Sequence, residues 1–360
     1  MKRCHNFNAG PAVLPVPVLE RIREEMLCLP GVGMSVLEIS HRSKTFETIL
    51  SETENRLRRL LNVPETHHIL FLQGGASLQF SMVPLNFLTR DGVADYIVTG
   101  SWSEKAVEEA RKIGRVNIAA TTKEENYARI PNQSELRLDP QAAYVHFTSN
   151  NTIFGTQWPT EPEVGTTPLV CDASSDFLSR PLDVSQYALL YAGAQKNAGP
   201  AGVTIVIVRE DWLERIPGGL PTMLDYRTHV KHRSLYNTPP VFAIYVVGLV
   251  LEYLEAQGGL SAVAAANAEK AGKLYAAIDS GSFYRGTAAR NSRSLMNVCF
   301  RLPNPGLEAV FLREAAANGF EGLPGHRSVG GIRASLYNAL PMESVLALID
   351  FMRDFARCHG

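Results

Sequence analysis

Six short apolar runs punctuate the chain before residue 210: 69–72, 95–98, 143–147, 168–171, 189–191 and 203–208. The first five are each followed by a cluster of Gly, Ser or Asn. The runs are continuous rather than alternating, as expected of strands covered on both faces. Between several of them lie helix-like stretches, 78–88 and 103–113, the second with an acidic and basic face. This alternation predicts an α/β fold with a mainly parallel sheet flanked by helices. Ligands in such sheets bind beyond the carboxyl ends of the strands.

After Gly258-Gly259 the texture changes. Helical patterns at 262–278, 307–318 and 342–357 alternate with strand-like pieces around 296–300 and 332–335. They predict a smaller C-terminal α+β domain, joined to the larger one by a helix over 242–256. The start, Gly10-Pro11-Ala-Val-Leu-Pro15-Val-Pro17, cannot be helical through its prolines and predicts an extended arm. The expected division is an arm at 1–15, a large domain at 16–257 and a small domain at 258–360.

With 360 residues, 45% apolar and 20% charged, the chain is an ordinary globular protein large enough for such a pair. A formal net charge of -1 gives no electrostatic case for nucleic acid or an anionic membrane. The five cysteines (Cys4, Cys28, Cys171, Cys299 and Cys358) are scattered without CxxC spacing, against both a disulfide framework and a structural zinc site. Lys2-Arg3 passes straight to polar residues, so no signal peptide is visible. The longest apolar run, 241–251, ends at Glu252 and is too short to span a bilayer. The expected compartment is the cytoplasm.

Candidate chemistry clusters just past the predicted strands. Lys196 stands among small residues in Leu189-Leu-Tyr-Ala-Gly-Ala-Gln-Lys-Asn-Ala-Gly-Pro-Ala-Gly202. A lysine whose surroundings favour the neutral amine becomes a nucleophile toward aldehydes, although a lone loop lysine is usually just solvated. Asp172 follows the run 169–171, where a carboxylate can face a ring nitrogen or simply serve a turn. Neighbouring strands would put both side chains on one sheet edge. Gln73-Gly-Gly-Ala-Ser-Leu-Gln79 follows a strand and opens a helix, where free amides make a phosphate site. Trp102 stands where it can stack on a flat cofactor or fill a core. Thr152 offers a hydroxyl to a ring oxygen or to a turn. Together these residues describe a pyridoxal phosphate site. Two His-Arg pairs, His41-Arg42 and His326-Arg327, with Arg333 close by, suit a doubly anionic substrate or a solvated basic face.

The chain resembles the phosphoserine aminotransferases, a family of fold-type-I, class V, PLP-dependent enzymes. The resemblance rests on seven ordered stretches: Phe7-Asn-Ala-Gly-Pro-Ala-Val-Leu-Pro15, Glu38-Ile-Ser-His-Arg-Ser43, Gln73-Gly-Gly-Ala-Ser77, Cys171-Asp-Ala-Ser-Ser175, Tyr191-Ala-Gly-Ala-Gln-Lys-Asn197, Tyr236-Asn-Thr-Pro-Pro240 and Gly325-His-Arg-Ser-Val-Gly-Gly-Ile-Arg-Ala-Ser335. It implies that Lys196 carries the internal aldimine and Asp172 pairs with the pyridine nitrogen. Trp102 would stack on the ring and Thr152 would bond its hydroxyl side. Ala76, Ser77 and Gln195 would hold the cofactor phosphate, with Asn237 and Thr238 reaching it from the second subunit of a homodimer. Some relatives carry arginine at the position of Ser77, so the side-chain part of that cradle varies.

The resemblance further implies that Arg333 binds the substrate α-carboxylate. His41, Arg42, His326 and Arg327 would surround its phosphate, or the side-chain carboxylate of glutamate. The implied reaction is ping-pong transamination between glutamate and 3-phosphohydroxypyruvate in serine biosynthesis, with 4-phosphohydroxythreonine in pyridoxine biosynthesis as a second substrate. The alternatives are another class V enzyme, a small-substrate transaminase or a cysteine desulfurase, or a binding protein on an old enzyme fold. A desulfurase needs a mobile nucleophilic cysteine, and neither Cys299 nor Cys358 lies in a stretch resembling a catalytic loop.

Overall fold

A computed structural model describes residues 3–360. The chain opens with a two-residue strand, β1 (His5–Asn6), followed by helices α1 (Val16–Glu25) and α2 (Lys44–Leu61). Pro15 stands at the N-cap of α1 and Pro17 in its first turn. A first-turn residue has no intrahelical acceptor for its N–H, so proline is tolerated there. Helix α1 therefore begins at Val16 and includes Pro17, a residue expected to be non-helical. The apolar runs do not reveal α2, because its sequence is rich in charge. Its burial at Phe46, Leu50, Thr53, Leu57 and Leu61 nonetheless marks one helical face, and the Ser43 hydroxyl caps it by accepting from the Phe46 amide.

Next come β2 (His67–Leu72), α3 (Gly75–Phe87), β3 (Val93–Val98), α4 (Ser101–Ala110), β4 (Arg115–Thr121) and β5 (Val145–Thr148). A small hairpin of β6 (Asn150–Asn151) and β7 (Thr156–Gln157) precedes β8 (Leu169–Asp172), β9 (Tyr187–Gly193) and β10 (Thr204–Arg209). Short helices α5 (Glu210–Leu213) and α6 (Tyr226–Lys231) lead into α7 (Val241–Ala256) and α8 (Gly259–Asp279). The remainder is β11 (Arg285–Gly286), β12 (Asn297–Arg301), α9 (Pro305–Ala317), β13 (Phe320–Glu321), β14 (Ile332–Ser335) and α10 (Met342–His359).

The central sheet has seven strands in the order β2-β10-β9-β8-β5-β3-β4. It is parallel except for β10, which runs antiparallel to both neighbours. All six expected strands are present. The seventh, β4, lies at the sheet edge, and its half-exposed, mixed sequence carries no continuous apolar signal. One face is covered by α2 and α7 around Phe46, Leu57 and Val247, the other by α3 and α4 around Phe80, Val83 and Val107. Gly248 lets α7 approach α2 closely, since a Cβ there would lie 2.6 Å from Thr53 Oγ1.

A three-stranded antiparallel sheet, β11-β12-β14, anchors the C-terminal part, with its own core around Leu274, Phe300, Phe311 and Leu348. The N-terminal arm joins this core: β1 pairs with β13, and Phe7 is fully buried there. Helix α8 serves both parts, burying Leu260 and Val263 with the α2–α7 face of the central sheet and Leu274 and Ile278 in the C-terminal core. Among the described residues, no single helix is long and apolar enough to cross a membrane. Helices α7 and α8 pass that test only as a pair, bent by 82° at a break that includes Gly258, whose φ is +94°.

The arrangement brings five chain segments to one sheet edge. Strands β2, β3, β5, β8 and β9 all run the same way, so the residues after their last positions emerge together. These are 73–77, 100–102, 149–152, 172–175 and 194–196.

Candidate active site

Asp172 ends β8 and is 4% exposed. Its register partner on β9 is Tyr191, so Lys196 emerges from the adjacent strand on the same edge. The Asp172 carboxylate accepts from the Ser174 amide at 2.9 Å. Burial pushes its pKa up, against the pull of Ser174 and of the Lys196 charge. The Lys196 ammonium donates to Thr152 Oγ1 at 2.7 Å and Ser175 Oγ at 2.8 Å, and lies 5.6 Å from the centre of the Trp102 ring. Burial pushes the lysine down to about 8, outweighing the attraction of Asp172 and Asp176, while the Arg333 charge adds to the depression. The arm closes one side: Gly10 lies where a Cβ would be 3.2 Å from the Lys196 Cγ, and the Ala12 amide donates to the Gln195 carbonyl at 2.9 Å.

Trp102 projects from the first turn of α4, and its indole N–H is buried without a partner. Gly74 and Gly75, with φ of +88° and +65°, turn the chain from β2 into α3. That turn points the unpaired first amides of the helix, with Ala76 and Ser77, toward the strand edge. The Gln195 side chain packs over Gly193, where a Cβ would lie 2.6 Å from its Oε1. An indole ring, a buried carboxylate, a hydroxyl and a lysine amine of lowered pKa, next to a helix N-terminus, are the groups that pyridoxal phosphate requires.

Arg333 on β14 reaches across from the smaller sheet. Its Nη1 donates to the Thr152 carbonyl at 3.4 Å, while its Nε is buried and unpaired. The 325–331 loop folds tightly beside it: the Gly325 amide donates to the Gly331 carbonyl at 2.9 Å, and His326 Nδ1 lies 2.7 Å from Ser328 Oγ. His326 is held below the usual imidazole range by burial first, then by the charges of Arg333, Arg327 and Lys105. A cleft of about 720 Å³ opens beside Arg333, between Ile153, Phe154, Arg285 and Ser328, and not directly over Lys196.

Lys196, Asp172, Thr152, Trp102 and Arg333 thus converge, with His326 and Arg327 at the rim. His41, Arg42, Asn237 and Thr238 make no hydrogen bond to any of them within one chain. His41 and Arg42 lie just before α2, where His41 Nε2 is buried and unpaired. The Thr238 carbonyl accepts from Gln73 at 3.1 Å, beside the glycine turn. Sequence reasoning missed Ser175 as a partner of Lys196; its only signal is its place three residues after Asp172. It also missed the buried Asp176, which accepts from Gln157 at 3.0 Å and from Ser149. Cys299 is buried in β12 with its thiol pushed up to about 12 by burial, and Cys358 lies exposed near the end of α10.

A chain of buried amides and hydroxyls ties the two sheets together. Ser294 Oγ donates to Asn150 Oδ1 at 2.5 Å, and Asn150 Nδ2 to Asn297 Oδ1 at 2.8 Å. Asn297 Nδ2 donates to Ser335 Oγ at 3.1 Å and to Tyr337 at 3.2 Å. The loop carrying Thr152 and the strand carrying Arg333 are thereby held in register.

Residues 4–348 match the family described as aminotransferase class-V. The phosphoserine aminotransferase of Geobacillus kaustophilus is 61% identical over 360 residues, covering 99% of each chain. The solved phosphoserine aminotransferase of Bacillus circulans subsp. alkalophilus superposes with a TM-score of 0.98 at 51% identity, covering 100% of both chains. The enzyme of the same name from Trichomonas vaginalis, solved with PLP bound, gives a TM-score of 0.93 at 42% identity, covering 98% of this chain and 100% of that one.

Proposed function

This chain belongs to the class-V aminotransferases, and we propose that it transfers an amino group between glutamate and 3-phosphohydroxypyruvate, the exchange that makes phosphoserine for serine biosynthesis. It has the fold-type-I architecture and uses pyridoxal phosphate. The single observation that carries the reading is Lys196 with an amine held at a pKa of about 8, between Trp102 and Thr152 and one strand from buried Asp172. Neither buried Cys299 nor exposed, terminal Cys358 suits a desulfurase nucleophile, so the cysteine-based alternative is set aside.

Bound cofactor supplies an electron sink, so that an α-proton can leave a substrate joined to it. The protein's residues do the rest. Lys196 would hold the cofactor through its side-chain nitrogen and, with that nitrogen free, would serve as the base that takes the substrate α-proton and the acid that returns it. Asp172 keeps a proton on the ring nitrogen; its burial makes that interaction strong. Trp102 covers the ring and Thr152 orients it. Ala76, Ser77 and Gln195 hold the phosphate, joined by Asn237 and Thr238 of the partner subunit. Arg333 takes the substrate α-carboxylate in a two-pronged contact. His41, Arg42, His326 and Arg327 surround the second anion, phosphate or side-chain carboxylate, so one pocket serves both half-reactions. By the same chemistry the pocket also accepts 4-phosphohydroxythreonine.

The reading includes a homodimer with shared sites in the cytoplasm, built from an arm (1–15), a large domain (16–257) and a small domain (258–360). Leu27, Met34 and Leu37, 88%, 44% and 60% exposed on the connection that leads to His41, support a second copy at that face. The test is the visible spectrum of the purified protein. The cofactor band should bleach with glutamate and return with 3-phosphohydroxypyruvate. A band indifferent to glutamate would sink the transaminase reading.

A further inference from the structure

Lys105 has no role in the site as assigned above. It lies one turn beyond Trp102 on α4, and its Nζ rests 4.7 Å from the centre of the Trp102 ring. The same ring has the Lys196 ammonium 5.6 Å away. Trp102 therefore holds a second cation at the edge of the chamber, by attraction between an ammonium and an aromatic face. Of the acidic residues around Lys105 on α4, Glu104 pairs with Lys123 at 2.7 Å and Glu109 with Lys112 at 2.6 Å, while the exposed Glu108, three residues on, forms no ion pair with it. Among the described residues Lys105 has no carboxylate partner, and neither has Arg327 or Arg333. The charges of these three residues all depress the protonation of His326 across the cleft. Positive groups that converge without a counter-charge repel one another and favour the entry of an anion.

We propose that Lys105 is a further substrate-binding residue, supplying positive charge from α4 to the distal anionic group of the substrate. The inference rests on the transaminase reading and deepens it. An ammonium on a flexible stem acts as a point charge and can follow either phosphate or carboxylate. A phosphate carries nearly two charges at neutral pH, so its binding depends on Lys105 more than that of glutamate. Lys105 thereby biases the pocket toward the phosphorylated partner.

The test uses the cofactor-loaded protein, with Lys105→Met keeping the packing on Trp102 and Lys105→Arg keeping the charge. In Lys105→Met, KM for phosphoserine should rise about tenfold and KM for glutamate about threefold, and Lys105→Arg should restore most of both. Inorganic phosphate, titrated calorimetrically into the loaded protein, should bind about tenfold more weakly to Lys105→Met. Lys112→Met, on the outer side of the same stretch and paired with Glu109, is the control and should change neither. An unchanged KM for phosphoserine with unchanged phosphate affinity would overturn the proposal. A shifted cofactor band, or an equal loss for alanine, which has no distal anion, would assign Lys105 to holding the Trp102 ring and overturn it as well. If the wild-type protein fails to transaminate, the functional reading falls, and the phosphate titration still decides the role of Lys105.

Discussion

Lys196 shows how a single side chain is tuned by competing terms. Two buried carboxylates, Asp172 and Asp176, pull its proton affinity up, yet the amine rests at about 8 because burial outweighs them and Arg333 assists. The neutral amine is the nucleophile. Its fraction grows as pH rises through that value, so capture of added pyridoxal phosphate by cofactor-free protein should accelerate from pH 7 to 9 with a midpoint near 8. A pH-independent capture rate would contradict this environment. Lys196→Ala should abolish turnover, a loss of at least about a thousandfold, with an unchanged circular dichroism spectrum; turnover near wild type would end the assignment. Arg333 has a buried, unpaired Nε and a single 3.4 Å contact through Nη1, so most of its hydrogen-bonding capacity is free for a ligand. Arg333→Ala should raise KM for glutamate and for the phosphorylated partner alike, by about a hundredfold. An unaltered KM would place the α-carboxylate elsewhere.

At the scale of elements, the site depends on the hairpin β6–β7 and the loop within it. Gly155 turns that loop at φ +73°, and a Cβ there would lie 2.8 Å from the Asn297 carbonyl and 3.1 Å from Cys299. Gly155→Ala should therefore cost about 1–2 kcal/mol from the left-handed backbone alone, with a further cost from the clash. Denaturant unfolding reads the sum, and a stability equal to wild type would mean that the loop is not held against β12. The motif stretches foretold which elements end in chemistry: the glycine turn into α3, the strand before Asp172 and the strand before Lys196. They did not foretell α2 or β4. The charge along α2 masks its five-residue buried stripe, and β4 is an edge strand of mixed, mostly half-buried sequence. Pro17 misled in the other direction, since proline in a first helical turn breaks no hydrogen bond.

At the scale of the whole molecule, the ends of five parallel strands, a second sheet and the arm come together on the side of the sheet that carries Lys196. Part of the assigned site is nevertheless not joined to the rest by hydrogen bonds within a single chain. His41, Arg42, Asn237 and Thr238 bond none of the residues around Lys196, and an apolar surface at Leu27, Met34 and Leu37 lies on the approach to His41. The expected outcome is a dimer that completes each site. Leu37→Asp should shift sedimentation toward the monomer and lower activity in parallel, because a charge on an apolar interface costs more than its burial returns. A monomer with full activity would remove the shared-site assignment.

The sequence by itself determined the fold class, the cofactor and the residues at the strand ends. Apolar runs, glycine turns and the setting of Lys196 are local, and local chemistry is legible in order along the chain. Only the tertiary structure decided which of those residues meet. Register between β8 and β9 puts Asp172 beside the lysine, and the buried chain from Asn150 through Asn297 to Ser335 brings Arg333 against Thr152. Ser175 meets Lys196 for the same reason. Their positions follow from packing between segments far apart in sequence, and burial, which sets the charge state of Lys196, exists only once those segments have closed around it.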